Sequence, residues 1–409
     1  MLNGFPQHLP SIQAHPPMKT VLLAWELGGG MGHVMTLRRL ARRLRLLDLR
    51  VVAAVKNLDA ARLLCSEGIE IIEAPAWPSA SMSARQIAAT SSASMGDILA
   101  TAGLGDADGL RRLLAAWDHV LLRFTPDLVV SHLAPAVALA ARGRVPLILV
   151  GDGYTLPPDG MRQFPPLHAM TSPGDEAVTL EVLNSVLRSR GETRLDHLPQ
   201  IFFGDARLVL TFPLLDPYFA RRTEPLLGPL LDHVPVAAVP KKRSVFAYLS
   251  RGYPLHRDIP AALLAHAPVL RIHAPDLPEH QMDDLMQAGA VVCRDFVAPA
   301  DALTSAALVV HFGGSGLAAE ALLAGVPQLV LSMQIEQWLN GSALQSAGLG
   351  RVIKAYDPGT RIESEIDNLL ADTAIVRAAA DAGRRHRELL SRTDALMTFE
   401  SACRSLLGI

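Results

Sequence analysis

The chain has 409 residues, 50% of them hydrophobic and 19% charged, which excludes global disorder and leaves room for two or three domains of ~150 residues. Its net charge is −2, so no bulk positive field recommends nucleic acid as a partner. Cys65, Cys293 and Cys403 lie far apart with no CxxC pair, which argues against a disulfide framework or a structural zinc site and makes a reducing, cytoplasmic compartment the default.

Residues 1–17 are rich in Pro, His and Gln and lack the apolar core of a secretory signal, so they read as a flexible extension, with Met18 as an alternative start. Thr20–Trp25 is a short apolar run with no helical period, a buried strand. A glycine turn follows (Gly28, Gly29, Gly30, Gly32), then a helix over Val34–Leu47 with Leu37, Leu40, Leu44 and Leu47 on one face, then a strand at Arg50–Val55. That β-turn-α-β unit implies a parallel sheet. Ile69–Glu73, Leu128–Ser131 and Pro146–Val150 continue it, with a helix at Ala134–Ala141.

Ser79–Gly105 is dominated by small residues, and Asp152–Gly174 is rich in Pro and Gly where the chain leaves a strand. The first is a loop or a wall of a substrate site; the second lies where α/β sheets place ligands. Pro235–Arg243 reads as a linker. Beyond it Ser244–Leu249, Val269–His273, Ala290–Cys293, Leu308–His311 and Gln328–Ser332 read as strands of a second doubly wound sheet, and Ala371–Leu407 as a helical tail. Apolar stretches are broken by His132, Arg142 and Arg144, or by His311 and Glu320, short of the ~18 residues of a membrane span.

The chemistry concentrates in Leu308-Val-Val-His311-Phe-Gly-Gly-Ser-Gly316-Leu-Ala-Ala-Glu320, followed by Gly325-Val-Pro327 and Glu336-Gln337. A strand ending at His311, a turn of Gly313, Gly314, Ser315 and Gly316, and a helix behind it make an anion site suited to a pyrophosphate. Glu320 falls about one turn into that helix, where a carboxylate suits a ribose diol. The bland alternative for His311 is a satisfied strand-end histidine.

A second signal is Trp25-Glu-Leu-Gly-Gly-Gly-Met-Gly32-His33. Counted from Gly28, the last position of a dinucleotide fingerprint falls on His33, which disfavours an NAD site. What remains is a turn that delivers His33 to a helix start above the sheet, a good place for a general base. Arg38, Arg39, Arg42, Arg43 and Arg45 line the following helix; they form either a solvated face or a peripheral contact with anionic lipid.

The donor block resembles the signature of family 1 nucleotide-sugar glycosyltransferases of the GT-B fold, including macrolide, antibiotic and plant secondary-metabolite enzymes. The resemblance implies two Rossmann-like α/β domains, each a doubly wound parallel sheet, facing a central cleft: residues 18–235 for the acceptor and 236–385 for the nucleotide sugar, with a helix over 386–409 returning to the first. It implies that Glu320 holds the ribose, that Glu336 and Gln337 hold the sugar hydroxyls, that Ser250 and Arg251 face the phosphates, and that His33 deprotonates the acceptor.

Two positions depart from the pattern. The phosphate-binding histidine of the family falls on Phe312, with His311 one place earlier, and the aspartate that orients the base in plant relatives falls on His132. Asp152 and Glu26 are other carboxylates near strand ends, and His132 and Asp152 are read as acceptor-side residues. The implied reaction is an inverting, metal-independent transfer of a hexose or deoxyhexose from a nucleoside-diphosphate sugar (UDP or dTDP) to a small-molecule or lipid acceptor, with no further cofactor. A nucleotide-sugar epimerase and a partner-dependent nucleotide-sugar-binding protein remain as alternatives.

Overall fold

A computed structural model describes residues 18–78, 93–168, 173–236, 244–249, 258–295, 297–355 and 361–409. The extension at 1–17, most of the linker, and Ser250 and Arg251 lie outside the described residues.

Twelve described strands form two six-stranded sheets. The first comprises β1 (Thr20–Trp25), β2 (Arg50–Val55), β3 (Glu70–Glu73), β4 (Leu128–His132), β5 (Leu147–Gly151) and β6 (Ala206–Val209), in the order β3-β2-β1-β4-β5-β6. The second comprises β7 (Val245–Tyr248), β8 (Leu270–His273), β9 (Val291–Val292), β10 (Leu308–His311), β11 (Gln328–Ser332) and β12 (Gly350–Lys354), in the order β12-β11-β10-β7-β8-β9. Every pairing is parallel. Both sheets thus carry the nucleotide-binding order, with one reversal between the first and fourth strands, and ligands bind at the carboxyl ends beside that reversal. The expectation of two doubly wound α/β sheets is met.

The central strands are buried on both faces, so their sequences are continuous apolar runs: every residue of β1 is buried. Helix α1 (Met31–Arg45) starts three residues before the predicted boundary, directly after Gly30 at φ 94°, and places His33 in its first turn. Its apolar face (Val34, Leu37, Leu40, Ala41, Leu44) joins one core of the first sheet. The last helix, α7 (Ala395–Leu407), supplies Phe399, Cys403 and Leu407 to that same core.

The opposite face of the first sheet is covered by α2 (Ala107–Phe124) and α3 (Pro135–Ala141). In the second sheet, α4 (Ser315–Ala324) ends at Gly325, φ 75°. A Cβ on Gly325 would stand 3.1 Å from Ala380 Cα, and one on Gly383 would stand 2.8 Å from Gly325 Cα. The Gly-Val-Pro motif is therefore a helix stop that lets α6 (Thr373–Leu390) lie directly against α4.

The arginines of α1 hold the fold together. Arg38 and Arg42 both reach Glu67 at 2.7 Å, Arg39 reaches Asp232 at 2.9 Å, Arg43 pairs with Glu400 of α7, and Arg45 bonds the Glu67 and Gly68 carbonyls. Arg38, Arg39, Arg42 and Arg43 are thus paired within the chain with three carboxylates, Glu67, Asp232 and Glu400. Among the described residues, no helix is long and apolar enough to cross a membrane.

Candidate active site

The carboxyl end of the first sheet brings together residues almost a hundred positions apart. The register of β1 against β4 pairs Leu23 with Val130 and Ala24 with Ser131, so the loop carrying His33 lies beside the end of β4. Leu133, just past that end, adopts φ 49°, and its carbonyl accepts the Leu27 N–H at 3.1 Å. His33 stacks on Trp25 with ring centroids 5.0 Å apart and planes 20° apart.

The hydrogen bonds assign the tautomers. The Val150 carbonyl can only accept, so His132 Nδ1, 3.0 Å away, carries a proton. In neutral His132 the Nε2 is then a bare acceptor. It lies 3.0 Å from His33 Nδ1, so His33 donates from Nδ1 and keeps its lone pair at Nε2. Burial, His132 and Lys56 hold the His33 imidazole well below its usual range, and burial lowers His132 as well. Both rings are therefore neutral at pH 7.

Gly28 makes room for the lone pair. Its φ is 75°, and a Cβ there would stand 2.6 Å from His33 Nε2 and 3.1 Å from Leu133 Cδ2. Gly28→Ala is therefore expected to displace the ring and lower turnover about tenfold, because misplacement of a reacting group acts directly on the barrier. Steady-state kinetics, with nucleotide binding as the control that should not move, check this.

Neither sequence-nominated carboxylate touches His33. Glu26 is buried and accepts from Trp77 Nε1 (2.7 Å) and the Ala136 and Val137 amides (2.9 and 2.7 Å). It caps α3, and burial raises its pKa to about 7. Asp152 accepts at Oδ1 from the Thr155 amide and hydroxyl. It acts on His132 through space and is also within electrostatic reach of Glu336. Tyr154 senses both Asp152 and Glu336. The end of β5 and the start of α5 (Ile335–Ser346) therefore share one space, with Ile335 and Leu339 packed on the first half's core.

On the second sheet, the turn after β10 is locked from below. Gly313 has φ 90°, and a Cβ would meet Val330 Cγ1 at 2.6 Å and the Gln337 carbonyl at 3.0 Å. The His311 ring is buried, with both nitrogens engaged: Nδ1 accepts the Gly313 amide at 3.1 Å, and Nε2 donates to Gln328 Oε1 at 3.0 Å. Burial drops its pKa to about 4. His311 is thus a neutral strut under the turn, not a group directed at a phosphate. Phe312, on the alternate face, is buried and belongs to the apolar core of the second sheet, with Val310 and Leu331.

Asn340 and Gln328 complete the lock, and sequence reasoning gave neither a role. Asn340 Nδ2 donates to the Gly313 carbonyl (2.9 Å) and Ser315 Oγ (3.1 Å), and Gln328 Nε2 donates to the Ala318 carbonyl (3.2 Å). Both are buried amides.

The N-terminus of α4 has no cap from its own N-cap residue, Gly314, and space is open above Gly314 and Gly316. Glu336 Oε1 fills the capping role, accepting from Ser315 Oγ at 2.9 Å and more weakly from the Ser315 amide at 3.4 Å. Burial, then Asp152, raises the Glu336 pKa to about 7. Gln337 folds back, and its Oε1 accepts the Met333 amide at 2.7 Å. That oxygen is committed to the start of α5 rather than directed into the cleft.

Glu320 bonds the Ala300 amide and leaves Oε2 buried with no partner. Burial raises its pKa, while Arg39 and His233 pull it down. Arg39 lies on α1 and His233 on the connecting segment, where it pairs with Asp301 at 3.2 Å, so Glu320 faces the seam between the two halves. Among the described residues, no three His, Cys, Asp or Glu side chains cluster as metal ligands would.

Comparison with known proteins identifies the family. Residues 274–392 match the model of the C-terminal domain of proteins like erythromycin biosynthesis protein CIII. The chain is 30% identical over 298 residues to a PGL/p-HBAD biosynthesis glycosyltransferase of Mycobacterium tuberculosis, covering 66% of this chain and 69% of that one. It is also 30% identical over 275 residues to a PGL/p-HBAD biosynthesis rhamnosyltransferase of Mycobacterium bovis, covering 60% of each. The calicheamicin glycosyltransferase CalG4 superposes with TM-score 0.66 at 18% identity over 96% of this chain and 98% of its own. VinC, solved with DTDP, gives 0.63 at 15% over 95% and 99%. With sequence relatives and fold pointing the same way, this chain belongs to the family 1-like glycosyltransferases of the GT-B fold, of the macrolide, antibiotic and glycolipid type.

Proposed function

We propose that this glycosyltransferase moves a hexose or deoxyhexose from a nucleoside-diphosphate sugar to a hydroxyl of a small-molecule or lipid acceptor, with inversion and without a metal ion. The observation that carries the reading is the lone pair at His33 Nε2, fixed by the Val150–His132–His33 hydrogen-bond chain. That chain stands at the carboxyl end of one sheet, while the α4 N-terminus stands at the carboxyl end of the other.

His33 removes the acceptor proton as the oxygen attacks the anomeric carbon. The bond from that carbon to the diphosphate breaks, and its electron pair leaves with the nucleotide. The turn amides and Ser315 hydroxyl receive the diphosphate, and the helix dipole supplies the positive field. Glu336 gives up Ser315 to the phosphate and turns to the sugar hydroxyls, with Asp152 opposite. Glu320 receives the ribose. The solved neighbours support a thymidine nucleotide and an aglycone as ligands: the spinosyn rhamnosyltransferase SpnG was solved with thymidine diphosphate and with spinosyn aglycone.

A thermal-shift panel of UDP, dTDP, GDP, ADP and CMP in EDTA tests the donor half. A ligand at a hundredfold its Kd adds ~2.7 kcal/mol, which for domains of this size is a rise of several degrees. One selective rise is expected, for dTDP or UDP. No rise with any nucleotide sinks the reading, and a rise that needs a divalent cation sinks the metal-free part.

A further inference from the structure

The groups around His33 limit the kind of hydroxyl it can serve. His132 on β4 offers a neutral ring to Nδ1, and its own far nitrogen ends on a carbonyl rather than a carboxylate. Trp25 on β1 offers a flat apolar face. Lys56, at the end of β2, places its ammonium 2.9 Å from the Gly28 carbonyl, and Gly28 is the residue packed against Nε2. The first-turn amides of α1 add the positive end of a helix. Asp152, beyond His132, acts through space with one oxygen tied to Thr155.

Among the described residues no carboxylate bonds His33, and Asp152 acts only on His132 beyond it, so an imidazolium at His33 is poorly supported. A negative oxygen beside Nε2 is better supported, because Lys56, bonded to the Gly28 carbonyl, acts on His33 through space and His33 sits at the positive end of α1. A phenol ionises near pH ~10, whereas an aliphatic hydroxyl is close to water, at ~15.7. A weak base assists the first far better than the second.

Resting on His33 as the base, we infer that the acceptor is a phenol or enol, recognised as it approaches its oxyanion by Lys56, and not an aliphatic alcohol. In the step, the phenolic O–H breaks and its proton goes to His33 Nε2. The oxygen bonds the anomeric carbon, the carbon–phosphate oxygen bond breaks, and the electron pair departs on the nucleoside diphosphate. Charge and atoms balance with no oxidant or reductant.

The test uses the full chain with TDP-rhamnose and UDP-glucose as donors. It compares 4-substituted phenols with the matching benzyl alcohols. Phenols are expected to exceed benzyl alcohols in kcat/KM by ~10²-fold or more, and Lys56→Gln is expected to narrow that gap about tenfold. His132→Asp, which offers a carboxylate, should raise transfer to the alcohols relative to the phenols. Equal or better transfer to benzyl alcohols by the unaltered protein overturns the inference. A strong phenol preference retained in an equally active His33→Gln protein overturns the base assignment and leaves the acceptor class standing on Lys56. Should neither donor turn over, 4-nitrophenol is titrated against protein and TDP. Binding as the coloured phenolate, lost in Lys56→Gln, supports the inference; binding as the neutral phenol, or no binding, overturns it.

Discussion

His33→Ala is expected to lower kcat/KM by about 10²–10⁴-fold, the usual contribution of a positioned general base, while the shift in melting temperature caused by dTDP or UDP stays as in the unaltered protein. The separation follows from geometry. His33 lies in the first turn of α1, on the first sheet's half, and the proposed diphosphate site is built from the turn after β10. The pH profile carries the same signature. An ordinary histidine base fails as pH falls through about 6.5, but this ring is held well below that value by burial, His132 and Lys56. The neutral, active form persists there, so kcat/KM should stay level from neutral pH to well under the ordinary range. An acid limb near 6.5 that vanishes in His33→Ala would contradict the buried His33–His132 pair.

Stability must be followed in parallel, and its sign is opposite. His33, His132 and His311 all have folded values depressed below the unfolded one. Each contributes stability that is complete above the unfolded imidazole value and lost as pH falls from there through the depressed folded value, about 4 for His311. Kinetic data below that point therefore need a folding control, such as near-UV circular dichroism at each pH.

The parts of the molecule that could be read from the chain are those whose signal is local. The inner strands β1, β4 and β10 are apolar runs with polar residues only at their ends, because helices cover both faces, and the glycines at 313 and 325 mark backbone that a side chain would obstruct. The edge strands β6 and β12 were not legible. Ala206–Val209 is half exposed at its start, and Gly350–Lys354 mixes Arg351 and Lys354 with two aliphatic residues, so neither has a clean period. In the candidate site the nominated residues were legible one by one, but not the partners they bond. His132 stood out only as a departure from a family pattern. Its role as the ring that orients His33 depends on the β1–β4 register, which no local spacing encodes. His311 and Phe312 show the same limit in reverse. Alternation along a strand sends neighbours to opposite faces, and only the packed structure shows that one face holds Gln328 and the other the apolar core.

Glu320→Ala is expected to weaken dTDP or UDP binding by ~10²-fold and at the same time to stabilise the empty protein. The affinity loss follows from removing a charged acceptor of two ribose hydroxyls, each such bond contributing ~1.5 kcal/mol or more. The stability gain follows from the empty state. One Glu320 oxygen is buried without a partner, and burial raises its pKa despite Arg39 and His233 nearby. An acid with a raised folded value destabilises the fold once ionised, so the cost is absent below about pH 4.5 and grows as pH rises through the raised value. The alanine protein should therefore gain ~1 kcal/mol at pH 7 and nothing at low pH, as read from urea midpoints across that range. Glu320→Gln separates charge from shape: it keeps an acceptor for the Ala300 amide, should share the stability gain, and should retain part of the affinity. An alanine protein that is less stable at pH 7 and still binds nucleotide as before would mean that Glu320 supports the seam between the halves and does not meet the ribose. The expected pair of opposite signs is what a site kept open for its ligand produces: a carboxylate that a ribose satisfies would be a buried, unpaired group until the nucleotide arrives.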